Sequence, residues 1–378
     1  MDRVRQRMSL AWLLGVVGVA ACAVAFLANG PDARAASAQD WSPFVLVTGL
    51  LLVGLVADDD GLFKAAGDRL ARTSSSGLVL YFGATLLVGA VTAVLNLDTS
   101  VAFLTPVLVY AARSRGGGEA PLLYGCLLLS NAGSLFLPGS NLTNLIVLGH
   151  LHMTGAGFIS HMWAPGLVAL FVTAGVLGVL ERRELALRSS PTASPTPVVW
   201  GLGLVAIVVS AFFVLVLAAP ALEVLAVGVV SIVIRIAKGR DHVGHVAEVL
   251  GVPLLIGLFG IAVALGTLGR TWSYPGSTMA HLNVWATGAV AAVASVIFNN
   301  LPAASLLSAH APTHPFALLI GLNLGPNLFV SGSLAWLLWM RAARVAGAEP
   351  SLARASRFGV WAVPLSIAAA LTALVFLG

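Results

Sequence analysis

Amide and hydroxyl side chains interrupt an otherwise apolar stretch between Asn131 and Asn144. The segment contains three Asn, two Ser and one Thr, together with two Gly and one Pro. In lipid, an unpaired amide or backbone group costs roughly several kcal/mol. A helix broken at Pro138 and Gly139 is therefore tolerated at membrane depth only where it packs in protein or lines a polar cavity. Its freed backbone groups can meet a solute; the plainer alternative is an aqueous loop between two short helices.

The second half of the chain contains a near-copy of this segment. Superposing Asn131 on Asn323 aligns residues 140–142 with 332–334 without a gap. Each copy is preceded by another polar interruption, and these two are Asn96-Leu-Asp-Thr-Ser100 and Asn299-Asn-Leu-Pro302. A two-fold internal repeat with polar breaks at matching places indicates a secondary transporter whose site lies near the membrane midplane.

The four interruptions supply the candidate solute-binding residues, which all carry amides or hydroxyls. They are Asn131, Ser140, Asn141, Asn144, Asn299, Asn300, Asn323, Asn327 and Ser333. An amide can act as both donor and acceptor toward a small solute. For each Asn the alternative role is to bond backbone groups that the break has freed.

Only two acids lie deep in apolar sequence, Asp98 and Glu223. Intramembrane carboxylates are expensive and mark ion or proton pathways by default. We therefore expect Asp98, with Thr99, to carry the coupling proton or ion; the alternative is a helix cap through the N–H groups of Ser100 and Val101. Glu223 follows a Pro at a helix start, where a first-turn cap explains it better.

Composition sets the class of protein. The chain of 378 residues is 58% hydrophobic and only 9% charged, against about 25% charged residues in soluble domains. It is therefore expected to be an all-α polytopic membrane protein. A net charge of +5 does not indicate nucleic acid binding, because the basic residues lie between apolar runs, where the positive-inside rule places them.

The apolar runs predict an order of spans. Single spans are expected at 10–28, 42–57, 158–180, 198–218, 221–234, 250–268 and 358–377, paired arms at 77–95 with 99–112 and 283–298 with 301–309, and broken helices at 121–148 and 316–338. Residues 29–40 are expected to form an outer loop and residues 64–72 an amphipathic surface segment. His150, His152, His310 and His314 are expected in outer loops.

The domain organisation follows from charge and composition. Residues 1–188 are expected to form a first membrane repeat, 189–197 a Ser/Thr/Pro-rich cytoplasmic linker, and 198–378 a connecting helix with a second repeat. Basic segments at 113–115, 181–188, 235–240 and 341–344 all fall inside when the N-terminus is cytoplasmic. With this orientation the first broken helix runs outward and the second runs inward, so the two repeats are inverted. The expected architecture therefore has paired helical hairpins and two broken helices.

Four stretches give the chain a family resemblance. They are 57–63, 97–106, 140–144, and 298–302 taken with 323–339. Together they resemble the arsenite/antimonite permeases (ArsB type) of the ion transporter superfamily, which also holds Na+/H+ antiporters and dicarboxylate carriers. Leu97 departs from the pattern, since the family usually has Asn there.

The resemblance implies a secondary active transporter of the bacterial inner membrane that exports arsenite or antimonite. The absence of Arg and Lys from the four interruptions favours a neutral trihydroxide over a multivalent anion, with protons exchanged. A Na+/H+ antiporter or an organic-anion carrier of the same architecture stays open. The chain is not expected to be an enzyme, and no cofactor, metal or ATP site is predicted. The expected partners are a small inorganic solute, protons and the lipid bilayer; a homodimer and an external ATPase subunit stay open.

Overall fold

The computed structural model describes residues 2–149, 151, 153–186, 201–240 and 243–378, and every regular element within them is helical. The first half comprises α1 (Asp2–Ala28), α2 (Gly30–Asp59), α3 (Leu62–Thr73), α4 (Gly77–Val94), α5 (Leu97–Arg113), α6 (Ala120–Gly133), α7 (Leu142–Leu148), α8 (Gly155–Leu180) and α9 (Arg182–Leu185). The second half comprises α10 (Leu202–Val216), α11 (Ala221–Ala237), α12 (Val243–Leu250), α13 (Val252–Thr271), α14 (Tyr274–His281), α15 (Val284–Phe298), α16 (Asn300–Leu307), α17 (Pro315–Leu324), α18 (Ala335–Val345) and α19 (Leu352–Leu377).

Five segments of the described chain are long and apolar enough to cross a bilayer. They are Gly30–Asp59, Gly77–Val94, Gly155–Leu180, Val243–Thr271 and Leu352–Leu377. Their outward faces carry large apolar side chains, such as Phe171 and Trp361, at exposed positions. A water-soluble protein would bury such faces, whereas lipid solvates them. The expectation of an all-α polytopic membrane protein is confirmed.

Two helical hairpins have polar tips, as the paired arms predict. In the first, α4 and α5 meet at Asn96, whose side-chain oxygen accepts the Thr99 N–H at 2.7 Å. In the second, α15 and α16 meet at Asn299, whose side-chain oxygen accepts the Leu301 N–H at 3.4 Å. Each tip residue therefore begins the second arm by capping it, which satisfies one of the N–H groups that a helix start leaves free.

The two broken helices have the same backbone at equivalent positions. Between α6 and α7, a 3-10 turn at Pro138–Ser140 is flanked by extended residues Leu137 and Asn141. Between α17 and α18, a first 3-10 turn at Gly325–Asn327 is followed by a second at Val330–Gly332, which is flanked by extended residues Phe329 and Ser333. The sequence repeat is thus also a repeat of local structure, and both breaks lie where the sequence predicts them.

Helices of the two halves pack reciprocally. The helix after the first break, α7, packs against α16 of the second hairpin, while the helix after the second break, α18, packs against α5 of the first hairpin. Each half therefore supplies a hairpin arm to the break of the other. This reciprocal packing is typical of two related halves that share one centre. The inverted orientation of the halves across the membrane stays a prediction, and so do the domain limits.

The start of α2 corrects one expectation. Residues 29–40 form no outer loop, because α2 begins at Gly30 and continues through Asp40 to Asp59. Asn29 caps this helix by accepting the Asp32 N–H at 3.3 Å, and Pro31 occupies the first turn, where it costs no hydrogen bond. Short helices α12 and α14 were also not predicted.

Other expectations have mixed outcomes. The amphipathic segment 64–72 is confirmed as α3, and Glu223 lies in the first turn of α11, as expected of a cap. The linker 189–197, His150 and His152 lie outside the described residues.

Candidate functional site

Asn323 joins the two broken helices. Its side-chain Oδ1 accepts hydrogen bonds from Ser134 Oγ and Asn141 Nδ2, each at 2.7 Å, and its Nδ2 donates to Asn144 Oδ1 at 2.7 Å. A fourth bond runs from Nδ2 to the Leu319 carbonyl at 2.8 Å. All five residues are buried. Asn323 comes from α17, and its three side-chain partners come from the first break. Its two donors and two acceptor positions are all occupied, so in this conformation it has no unused hydrogen-bonding atom.

A second bond between the halves lies beside the first. Asn131 Nδ2 donates to Asn327 Oδ1 at 2.8 Å and to the Leu127 carbonyl at 3.2 Å. Asn327 Nδ2 in turn donates to the Leu128 carbonyl at 3.1 Å. Five of the nine predicted binding residues, namely Asn131, Asn141, Asn144, Asn323 and Asn327, thus share one buried network across the halves.

Most of these side chains also serve the broken backbone. Asn144 Nδ2 donates to the carbonyls of Ser134 and Leu137, at 2.7 and 3.1 Å. Ser140 Oγ accepts the Leu137 N–H and donates to the Ala93 carbonyl, each at 3.1 Å. The Ser134 carbonyl is the group that Pro138, which has no N–H, leaves without a helical partner, and both groups of Leu137 belong to the extended backbone of the break. Several of the amides therefore do bond backbone groups, which is the alternative role that the sequence offers for them. Amides of this set also make the contacts between the two halves.

Five buried polar atoms near the first tip and first break have no hydrogen-bond partner. They are Thr92 Oγ1, Asn96 Nδ2, Thr99 Oγ1, Asn131 Oδ1 and Thr143 Oγ1. Buried polar groups are almost always bonded, and each one left unpaired costs about 1–3 kcal/mol. Such a set of unpaired atoms, one donor, one acceptor and three hydroxyls that can be either, is what a solute or ordered water would satisfy.

Asp98 lies in the first turn of α5 and is half-buried. The helix-capping role is filled by Asn96 instead, because Asn96 Oδ1 accepts the Thr99 N–H. Within the described part of the chain, the Asp98 carboxyl makes no hydrogen bond or ion pair that would fix it. It therefore has no partner among the described residues, and it belongs to the same first turn of α5 as Asn96 and Thr99, which carry unpaired atoms.

At the second tip, the predicted residues bond to nearby backbone groups. Asn299 Nδ2 donates to the Ser331 carbonyl at 3.2 Å, Asn300 Oδ1 accepts the Leu301 N–H at 2.9 Å, and Ser333 Oγ accepts the Ala335 N–H at 3.2 Å. These three predicted residues are not hydrogen-bonded to the network around Asn323. Asn299 also has φ of +76° with ψ of 148°, a region that residues other than Gly adopt at a cost of about 1–3 kcal/mol.

The side chains of the network around Asn323 are all uncharged. Among the described residues, no Lys or Arg side chain is hydrogen-bonded to it. The arginines instead bind elsewhere, as in Arg113 with Ala346, Arg115 with Ala71, Arg235 with Asp60, Arg270 with Gln39, Arg341 with Glu248 and Arg354 with Glu181. A cavity of about 700 Å³ reaches the first break at Pro138 and Gly139, and Gln39 and Arg270 line it on the side of α2 and α13.

A family model described as "Citrate transporter" (CitMHS) matches residues 6–342. The chain belongs to this citrate transporter family. As a family member it is also 26% identical, over 336 residues, to the "Arsenical pump membrane protein" of Escherichia coli (strain K12), covering 79% of this chain and 78% of that one. The protein of that name from Yersinia enterocolitica matches equally, with 26% identity over 336 residues and the same coverage.

A solved structure shows a similar fold. The Alcanivorax borkumensis YdaH transporter superposes with a TM-score of 0.53, covering 87% of this chain and 84% of that chain at 16% identity. The family match, and not this structural likeness, makes the chain a membrane transport protein of the ion transporter superfamily rather than an enzyme, as the sequence predicts.

Sequence reasoning missed several polar residues that the fold brings to the breaks. Ser134 bonds to Asn323, and Ser130 Oγ lies 3.2 Å from Ser100 Oγ. Asn96 and Thr143 carry unpaired atoms but were outside the predicted set. Their position within the same interruptions was the available signal. Asp40 was also missed as a buried acid, because it was placed in a loop.

Proposed function

We propose that this transporter exports arsenite and antimonite as neutral trihydroxides, in exchange for protons. One observation carries the proposal: a buried set of uncharged donors and acceptors with unused hydrogen-bonding atoms lies at a membrane break, beside a single free carboxyl. The relatives from Escherichia coli and Yersinia enterocolitica are named arsenical pump membrane proteins, which supports arsenicals as the solute.

The chemistry of a trihydroxide suits these atoms. Each hydroxyl can donate one hydrogen bond and accept others, and the molecule carries no charge to compensate. Asn96 Nδ2 can donate, Asn131 Oδ1 can accept, and the hydroxyls of Thr99 and Thr143 can do either. A multivalent anion would need positive side chains to offset its desolvation, and the network has none among the described residues.

Asp98 is the group that we propose carries the coupling proton. Its carboxyl is half-buried at the hairpin tip, with no partner among the described residues that would hold it ionised. A carboxyl in such a place can take a proton from one side and give it up on the other when the tip is exposed alternately. Related halves allow two access states of similar energy.

We place the transporter in the bacterial inner membrane with its N-terminus in the cytoplasm. The basic segments between spans support this orientation, since they then all face inward. In this orientation the cavity beside Gly139 faces outward.

An organic-anion carrier is the second candidate, because the matched family is described as a citrate transporter. Arg270 lines the cavity next to the first break, so an anion entering there would meet one positive charge before it reached the uncharged network. The two candidates make opposite predictions about competition by citrate.

Uptake into everted membrane vesicles tests the proposal. Arsenite, citrate and Na+ should be compared with and without a proton gradient, using vesicles without the transporter as the control. We expect gradient-dependent arsenite uptake that neither citrate nor Na+ inhibits. Uptake of citrate would favour the organic-anion carrier, and proton release on adding Na+ would favour the Na+/H+ antiporter. Expression in an arsenite-sensitive bacterium gives an independent readout, since the proposal requires resistance.

A further inference from the structure

Asp40 is a buried acid that the proposed transport cycle does not use. It lies in the membrane-spanning helix α2 with only 1% of its surface exposed. Its Oδ2 atom is buried and has no hydrogen-bond partner. An ionised carboxylate in such a place is costly unless it is paired and hydrogen-bonded.

Asp40 interacts with Arg270 of α13 and Ser305 of α16, and Arg270 is hydrogen-bonded to Gln39, the residue that precedes Asp40 in α2. Arg270 is the charged group on this side, because the sequences of α7 and α16 contain no ionisable residue. Asp32, on the helix of Asp40 itself, also interacts with Arg270. Burial and the position of the Arg270 guanidinium together therefore determine whether Asp40 holds a proton.

In this conformation the guanidinium of Arg270 is directed to neutral groups. It donates through one nitrogen to the Gly266 carbonyl at 2.9 Å and through another to Gln39 Oε1 at 2.5 Å. No ion pair joins it to Asp40 among the described contacts. A buried carboxyl that lacks an ion pair is most stable in its neutral, protonated form.

A proton released by Asp40 has a route to solvent through the cavity at the first break. Gln39 and Arg270 line the cavity of about 700 Å³ that reaches Gly139 at the first break. Gln39 also donates to the Ile146 carbonyl at 2.8 Å, so it links the Arg270 side chain to α7, which directly follows that break. A movement of α7 would change the bond that holds Arg270 away from Asp40.

We propose that Asp40 is a second proton-binding site, separate from Asp98, and that Arg270 gates it. When Arg270 leaves Gln39 and pairs with Asp40, the carboxyl gives its Oδ2 proton to a water molecule that enters from the cavity lined by Gln39 and Arg270, and it remains as the paired carboxylate. When Arg270 returns to Gln39, Asp40 takes a proton back. The inference goes beyond the proposed function, because it holds whichever solute is carried.

Infrared difference spectroscopy of the purified protein in lipid tests this directly, with no solute present. Protein made with ¹³C-labelled aspartate should show a shifted C=O band from a protonated aspartic acid at neutral pH. Asp40→Asn should lose this band, whereas Asp59→Asn, the matched change at the far end of the same helix, where Asp59 pairs with Arg235, should keep it. In Arg270→Gln the band should persist in alkaline buffer that removes it from the wild type, because the cation that stabilises the carboxylate is gone.

The outcomes separate this inference from the transport proposal. A band that Asp40→Asn leaves intact, or a wild type with no protonated aspartic acid beyond the one lost in Asp98→Asn, overturns the second site. If Asp40→Asn folds poorly, Asp40→Glu replaces it, because it keeps an acid at this position but removes the labelled aspartate. Absence of arsenite transport in everted vesicles would overturn the proposed function and leave the Asp40 band unaffected.

Discussion

Replacing Asn323 by Ala is the most informative change to the polar network. The substitution removes three side-chain bonds at once, to Ser134, Asn141 and Asn144. Hydrogen bonds between membrane helices average about 0.6 kcal/mol, and bonds in proteins generally contribute roughly 0.5–1.5 kcal/mol. Three such bonds give a loss of about 2–4 kcal/mol in the free energy of unfolding. A buried Asn144 Oδ1 left without its partner places the result toward the upper end.

Unfolding by denaturant in mixed micelles, followed by tryptophan fluorescence, measures this loss. Trp336 and Trp339 are completely buried beside the second break and report on its packing. Asn283→Ala is the matched control, because Asn283 caps α15 from an exposed position through a single bond to the Ala286 N–H. The loss of such a cap costs typically about 1 kcal/mol.

The cause can be isolated by a double-mutant cycle between Asn141→Ala and Asn323→Ala. Since the two side chains are in direct contact at 2.7 Å, their effects should not add, and the coupling energy should be about 0.5–1.5 kcal/mol. The reasoning is refuted if Asn323→Ala costs no more than the Asn283→Ala control, or if the two effects add within error. Either result would mean that the amide network does not hold the halves together.

Three further predictions concern the proposed site and its packing. Asp98→Asn keeps the shape of the tip and removes the titrating group, so proton-driven transport should be lost with normal insertion; transport with an unchanged pH profile would show that Asp98 carries no coupling proton. Thr99→Val removes a hydroxyl that has no hydrogen-bond partner in the structure, so the free energy of unfolding should be unchanged or raised. Arsenite transport should weaken by a factor of a few to about tenfold. A loss of transport that is accompanied by a loss of stability would contradict a binding role. Gly359→Ala places a Cβ 2.0 Å from the Asn327 carbonyl oxygen and should destabilise the protein by about 1–3 kcal/mol in the same unfolding assay, whereas Gly175→Ala, with open space around it, should not.

The sequence alone determined the class of protein, the hairpins and both breaks. These features rest on signals that are local in the chain. Long apolar runs require lipid, and Pro138 cannot continue a hydrogen-bonded helix. The matching interruption in the second half follows from the repeat, and its backbone indeed copies the first. The prediction of helices failed at the short helices α12 and α14 and at the start of α2, where an Asn-Gly-Pro sequence resembles a loop but begins a capped helix.

Only the tertiary structure decided which polar groups meet. Asn323 lies 182 residues from Asn141 along the chain, and nothing in either segment indicates that one bonds to the other. The same holds for the atoms left unpaired, because satisfaction of a hydrogen bond depends on every neighbour and not on the residue type. The sequence predicts that Asp40 lies in a loop, whereas in the structure it is buried within α2 and interacts with Arg270 of α13 and Ser305 of α16. Local sequence specifies where a helix stops, but the contacts between distant helices determine which of its freed groups stay available for chemistry.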